Sequence, residues 1–384
     1  MRILSITGNR ADYDLMSYLY RYFNNDPDID FGLVVTGAHL SSDYGNSLSD
    51  IEKDGNHIAA KIEDILNSDH PGSRAKSTGI LLQALIDTIR TFEPDLLIAP
   101  GDREDVIAMA IAAVYMRIPL VHFFGGDHSD SGHVDNDIRH AVSKMATVHF
   151  VSAEEHKRRL LALGEEERRI YVTGSVALDK FIEEPHLSAA EVMNALSLKD
   201  FENYALLIYH PPAEIPGENK EIDAILKTLK KKNIKTVVSY PNTDANSHAI
   251  IEKYALYQND PGFYFYKNLS RNLFINLYRN ALFQIGNSSA GVNEAASIPI
   301  PVINIGSRQR NRGNSGNVIY VENYWDGLDA AIDLAMSKSY RDSIQNMKNI
   351  LNGGNSKKAY ELIKTIDFRS LIHKNYDPLR GYMP

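Results

Sequence analysis

The sequence predicts an α/β fold of two similar domains facing across a cleft, each a doubly wound parallel sheet. Three observations carry this. Short β-branched runs alternate with stretches of helical periodicity, which requires parallel strands joined by crossover helices. The alternation stops once, from Ser175 to about Asn203, where the pattern turns polar and helical as a linker would, and then begins again. At 384 residues the chain also exceeds what one hydrophobic core usually covers.

The first domain, 1–176, contains candidate strands at Arg2–Thr7, Phe31–Thr36, Asp95–Ala99, Leu120–Phe124, Val148–Val151 and Ile170–Thr173. After the first of them Leu15, Tyr18, Leu19, Tyr22 and Phe23 recur at i, i+3, i+4, i+7 and i+8, so one face of a helix is apolar. Leu82, Leu85, Ile86 and Ile89 repeat the spacing before Pro94. The second domain, 177–365, carries runs at Tyr204–Tyr209, Lys235–Ser239, Gly262–Tyr266, Leu282–Ile285, Val302–Ile305 and Val318–Val321. A helical pattern from Lys357 to about Asp367, and a C-terminal helix over 366–384, are expected to pack back on the first domain.

Composition narrows the function. Apolar residues at 43% and charged residues at 23% are ordinary for a soluble globular chain. No apolar run reaches the roughly 18 residues of a membrane span, and Met1-Arg-Ile-Leu enters a strand pattern rather than a signal peptide, so a cytoplasmic protein with no membrane partner is expected. Zero cysteines exclude disulfides, thiolate catalysis and cysteine-ligated metal. A net charge of −8 argues against nucleic acid as a partner, because a phosphate backbone needs a basic face. Neither a Walker A pattern nor GxGxxG occurs, which removes P-loop chemistry and a dinucleotide cofactor.

In parallel sheets ligands sit beyond the carboxyl ends of the strands. The stretch Gly286-Asn-Ser-Ser-Ala-Gly-Val-Asn-Glu294 follows an apolar run and opens a helical pattern, so its glycines, Ser288, Ser289 and first-turn N–H groups suit a diphosphate, with Glu294 placed to accept from ribose hydroxyls. A Ser-capped helix after a glycine turn is the plain alternative. Arg10 and Arg308 hold matching places at strand ends of the two domains, where a guanidinium grips phosphate bidentately; Arg310 and Arg312 stand behind the second. Asp102 and Asp127 end adjacent strands, a placement suited to proton transfer, although Asp102 alone reads as a helix cap. The segment from Asp127 to His140 holds four aspartates and three histidines. It lacks clean ligand spacing, so no metal is assigned, and Asp135 or Asp137 is read as an acid/base. His39 and His210 each end a strand and are equally well read as structural histidines.

Together Gly8-Asn-Arg-Ala-Asp-Tyr13, Gly37-Ala-His39, Gly101-Asp-Arg103, Gly125-Gly-Asp127, Asp135-Asn-Asp-Ile-Arg-His-Ala141, Gly174-Ser175, Gly286-Asn-Ser-Ser-Ala-Gly-Val292, Glu294 and Gly306-Ser-Arg-Gln309 resemble the UDP-N-acetylglucosamine 2-epimerase family. The Arg-Ala-Asp-Tyr form is similar to its hydrolysing branch, which makes N-acetylmannosamine for sialic-acid-type and related nonulosonic sugars. The resemblance implies a GT-B-like pair of Rossmann-like domains with the site between them, no cofactor, a UDP-sugar substrate and a homodimer or homotetramer. It implies that Arg10, Ser288, Ser289, Gly291 and Arg308 lie at the diphosphate and Glu294 at the ribose. Arg103, His39 and His210 would line the sugar and phosphate side, His210 within the catalytic set, and Asp102 matches a catalytic aspartate. Where that branch has Gly-Gly-Glu this chain has Gly125-Gly-Asp127, a carboxylate one methylene shorter, before a loop about two residues longer.

The reaction implied is conversion of UDP-N-acetylglucosamine and water to UDP and N-acetylmannosamine through a 2-acetamidoglucal. Its rivals are hydrolysis of a UDP-2,4-diacetamido-2,4,6-trideoxy sugar, a non-hydrolysing 2-epimerase, a GT-B glycosyltransferase and a non-catalytic UDP-sugar sensor. Carboxylates at the sugar argue against the sensor, because a binder needs diphosphate contacts only.

Overall fold

The computed structural model describes residues 1–42, 46–66, 70–129, 134–199, 201, 203–211, 220–241, 247–309, 312, 315–322, 324–351 and 353–379. Arg310 and positions 130–133 of the polar loop lie outside them. The chain divides into two compact units. The first comprises Met1–His128, Val134–Asp179 and the chain from Leu351 onward; the second is Lys180–Ile350 together with Ser129.

The first unit is built on β1 (Arg2–Thr7), β2 (Asp30–Thr36), β3 (Ile58–Ile62), β4 (Leu96–Pro100), β5 (Leu120–Phe123), β6 (Val148–Val151) and β7 (Ile170–Val172). They form one sheet in the order β3-β2-β1-β4-β5-β6-β7, every pair parallel. The expected runs are these strands because almost every residue in them is buried, as a sheet covered on both faces demands. The strand missed is β3. Its Ile-Ala-Ala-Lys-Ile sequence lies at the sheet edge and buries only Ile62, so neither alternation nor an apolar run marks it.

The second unit repeats the plan with β8 (Tyr204–Ile208), β9 (Lys235–Ser239), β10 (Phe263–Tyr266), β11 (Gln284–Gly286), β12 (Val302–Ile305) and β13 (Val318–Val321), in the order β10-β9-β8-β11-β12-β13, again parallel. In each sheet the order reverses beside its first strand, so the turns after β1 and β4 mark a switch point in the first unit and those after β8 and β11 mark one in the second, the place where such sheets bind ligands. The stretch read as a linker forms short helices at Asp179–Glu183 and Ala189–Ala195, the latter opened by a Ser188/Glu191 capping box.

The expected helix over 366–384 is corrected. The last helix is Ser356–Thr365, and the described residues beyond it contain only the turn Arg369–Leu371. Ile366 turns extended so that Phe368 and Leu371 enter the same core as Ile3, Tyr13 and Ile363, a spacing that no continued helix would allow. Charged anchors hold the segment: Tyr360 and Lys364 meet Asp26, buried Arg169 donates to the Leu371 and His373 carbonyls, and Lys374 pairs with Glu165 at 2.6 Å. Among the described residues no helix is long and apolar enough to cross a membrane.

Candidate active site

In the first unit the turns after β1, β4 and β5 meet the start of the helix Asp135–Met145, and a buried guanidinium organises them. Arg139 is 3% exposed. It pairs with the Asp102 carboxylate and donates to the Asn136 side chain at 3.0 Å and to the Asp127 carbonyl at 3.3 Å. The charges of Asp102, Asp127 and Asp135 outweigh its burial and hold it firmly protonated. Asp102 therefore does not cap the next helix, whose N-cap position is taken by Arg103 with no side-chain cap bond. Its turn is fixed from behind: neutral His122, pushed down to about 3 by burial, donates to the Gly101 carbonyl at 2.8 Å and accepts from Ser143.

Asp127 accepts from the His128 N–H at 2.8 Å and lies 3.6 Å from His156. Glycine is required just before it. Gly126 has φ +76°, and a Cβ there would collide with the His156 carbonyl. Asp135 and Asp137 part company: Asp135 is half-buried with its charge acting on Arg139, whereas Asp137 is exposed and acts on His140.

Asp12 joins this group. Burial pushes its carboxyl up to about 7, against the pull of Arg103 and with the help of Asp102 and Asp135. It closes a reciprocal cap with Asn9, at the start of the helix Arg10–Asn24. Arg10, from the same turn, lies 3.7 Å from Asp14 and 3.9 Å from Asp50. His39, expected on the ligand side, is fully buried. Its ring nitrogens meet Thr7 at 2.9 Å and Ser47 at 2.7 Å, and burial pushes it down to about 4, so it braces the Gly8–Arg10 turn as a neutral ring.

In the second unit the stretch Gly286–Glu294 is locked by its own backbone. Gly286 has φ +138°, and a Cβ would strike the Ile208 carbonyl across the sheet. Asn287 clasps the end of β8 by accepting from the His210 N–H and donating to the His210 carbonyl, both at 2.8 Å. Arg308 and Gln309, from the turn after β12, donate to the Asn287 carbonyl at 3.3 and 3.1 Å. Ser288 caps the helix Ser289–Asn293. Gly291 rests against the Gln284 amide, which accepts from Tyr278 at 3.1 Å. His210, Ser288, Ser289 and Arg308 thus surround one turn. Glu294 ends the short helix and pairs with Lys180 at 2.7 Å.

Sequence reasoning missed Arg139, Asp12 and Lys180 as site residues. Arg139 had a signal, standing four residues after Asp135 and so on the same helix face; its burial had none.

Two all-parallel α/β units with Gly, Ser, Arg and Asp at their strand ends define a GT-B-like architecture. The chain belongs to the UDP-N-acetylglucosamine 2-epimerase family, whose model matches residues 21–364. It is 35% identical over 97% of its length, and 97% of the relative's, to a Legionella pneumophila protein named UDP-N,N'-diacetylbacillosamine 2-epimerase (hydrolyzing). It is 34% identical, over 98% of both chains, to the Campylobacter jejuni GDP/UDP-N,N'-diacetylbacillosamine 2-epimerase (hydrolyzing). The Neisseria meningitidis UDP-GlcNAc 2-epimerase structure bound to UDP-GlcNAc superposes with a TM-score of 0.81 at 19% identity, covering 95% of this chain and 100% of that one. The first two names differ from the N-acetylmannosamine-forming branch expected from the motifs.

Proposed function

We propose that this chain is a hydrolysing 2-epimerase acting on a UDP-2,4-diacetamido-2,4,6-trideoxyhexose, releasing UDP and the free 2-epimeric sugar. One observation carries the reading: similarity of 34–35% over nearly the whole chain to two enzymes named for that activity. The chemistry of the strand ends agrees with it. Arg308, Ser288 and Ser289 bind the diphosphate, and Glu294 the ribose. A carboxylate takes the C2 proton while the C1–O bond breaks and its electron pair leaves with UDP, giving a glycal. Water oxygen then bonds C1 and a proton is delivered to the opposite face of C2, so atoms and charge balance.

Asp102, Asp127 and Asp135 carry these protons, and Arg139 fixes their spacing. Asp12, with a carboxyl titrating near neutrality, is a further proton carrier. Steady-state rates of UDP release test the substrate. The diacetamido sugar is expected to exceed UDP-N-acetylglucosamine by about tenfold or more in kcat/KM, the worth of one well-placed difference in substrate contact. Equal rates or the reverse preference would return the chain to the N-acetylmannosamine-forming reading.

A further inference from the structure

Lys180 lies in the polar stretch that separates the two series of strands, where sequence alone assigns it nothing. In the structure it is 4% exposed, and its ammonium lies 2.7 Å from Glu294, itself 8% exposed. A lysine and a glutamate buried this completely are an expensive way to gain stability, since desolvation offsets most of their attraction. The pair is also held unusually well. Asp179, the residue before the lysine, accepts from the N–H groups of Gly354, Asn355 and Ser356 at 2.6, 3.0 and 2.8 Å. Glu294 is tied on both sides, its N–H donating to Ala290 at 3.0 Å and its carbonyl accepting from Ser297 at 2.9 Å. The ammonium lies 2.7 Å from Oε2, a buried oxygen that makes no hydrogen bond of regular geometry, so the contact is an ion pair, and Oε1 accepts no hydrogen bond among the described residues either.

We infer that Lys180 is a positioning residue for ribose recognition: it holds Oε2 of Glu294 so that Oε1 is presented to a ribose hydroxyl of a bound nucleoside diphosphate. The inference rests on the nucleotide site proposed above. A carboxylate free to rotate would spend its acceptors on water; one clamped by an ammonium is preorganised, and the gain appears as discrimination for the hydroxyl.

Calorimetric titration of the full chain with UDP, 2′-deoxy-UDP and 3′-deoxy-UDP tests it. Wild-type protein should prefer UDP over the weaker analogue by roughly tenfold to a hundredfold, the worth of a hydrogen bond to a charged acceptor. Lys180→Met should lose most of this preference while binding the analogue within about threefold of wild type, and Lys180→Met/Glu294→Gln should match Glu294→Gln, because the lysine acts only through the carboxylate. Lys180→Gln, polar and close in length, is the second variant should the methionine one not fold; without the ammonium's charge its preference should fall by about threefold or more. A folded Lys180→Met or Lys180→Gln protein with the wild-type preference overturns the inference and leaves the nucleotide site standing. Wild-type protein that binds UDP and both analogues alike overturns it too. Wild-type protein that does not bind UDP at all overturns the nucleotide site itself.

Discussion

Arg139→Lys is the most informative single change in the first unit. The guanidinium makes three directed contacts, to the Asp102 carboxylate, the Asn136 side chain and the Asp127 carbonyl. Lysine keeps the charge but replaces a planar fork with one point donor, so it holds one of these partners and releases the others. Each contact involving a charged group is worth about 1.5–3 kcal/mol. If Asp102 is displaced by one such contact, turnover should fall roughly tenfold to a hundredfold. The second lost contact should appear as a lower melting temperature. UDP affinity should stay within about twofold, because the contacts proposed for UDP lie on Ser288, Ser289, Glu294 and Arg308. The assay pairs continuous detection of UDP release with calorimetric UDP titration and a thermal melt. Turnover equal to wild type in a folded Arg139→Lys protein would refute the organising role of this arginine. Turnover and UDP affinity falling together would refute the division between chemistry and binding.

Asp135→Asn should lower turnover by about 10²–10⁴-fold, the usual worth of a positioned acid or base, whereas Asp137→Asn should leave it near wild type; the reverse order in a rate assay would reassign the role. Asp12 gives a pH signature whose sign follows from its raised carboxyl: the folded state holds the proton that the unfolded state has lost, so this group's contribution declines as pH climbs from about 4 to about 7. Asp12→Asn should therefore gain stability relative to wild type across that window, by up to a few kcal/mol, and a pH-independent difference in melting temperature would show that the carboxyl is not raised. Gly286→Ala forces a side chain against the Ile208 carbonyl at φ +138°, so it should cost about 1–3 kcal/mol or more in a denaturant titration and weaken UDP; an unchanged midpoint would contradict the described turn.

Strands were legible where both sheet faces bury them, because continuous apolar runs ending in glycine turns have few other readings. The edge strand β3 was not, since Ile58-Ala-Ala-Lys-Ile62 carries no burial pattern. Residue types at the strand ends marked Asp102, Asp127, Ser288 and Arg308, but a one-dimensional pattern cannot tell a cap from an ion pair. Asp102 was open to both readings, catalytic carboxylate and cap, and its ion pair with buried Arg139 speaks against the cap. His39, open to both a ligand-side and a structural reading, meets two hydroxyls in full burial, which favours the structural one. The clamp of Lys180 on Glu294 joins residues 114 positions apart and has no local signature. Substrate identity was least legible of all, because the motifs resemble the family as a whole, whereas the two relatives named for a diacetamido sugar are matched over nearly the entire chain.

The central claim is hydrolysis with inversion at C2 of a UDP-diacetamido sugar, and one proton NMR time course in deuterated water tests it. The expected spectrum shows UDP and the free 2-epimer appearing together, with deuterium at C2 of the product. A UDP-linked epimer with no free sugar, or a free sugar that keeps its original C2 proton, would contradict the account.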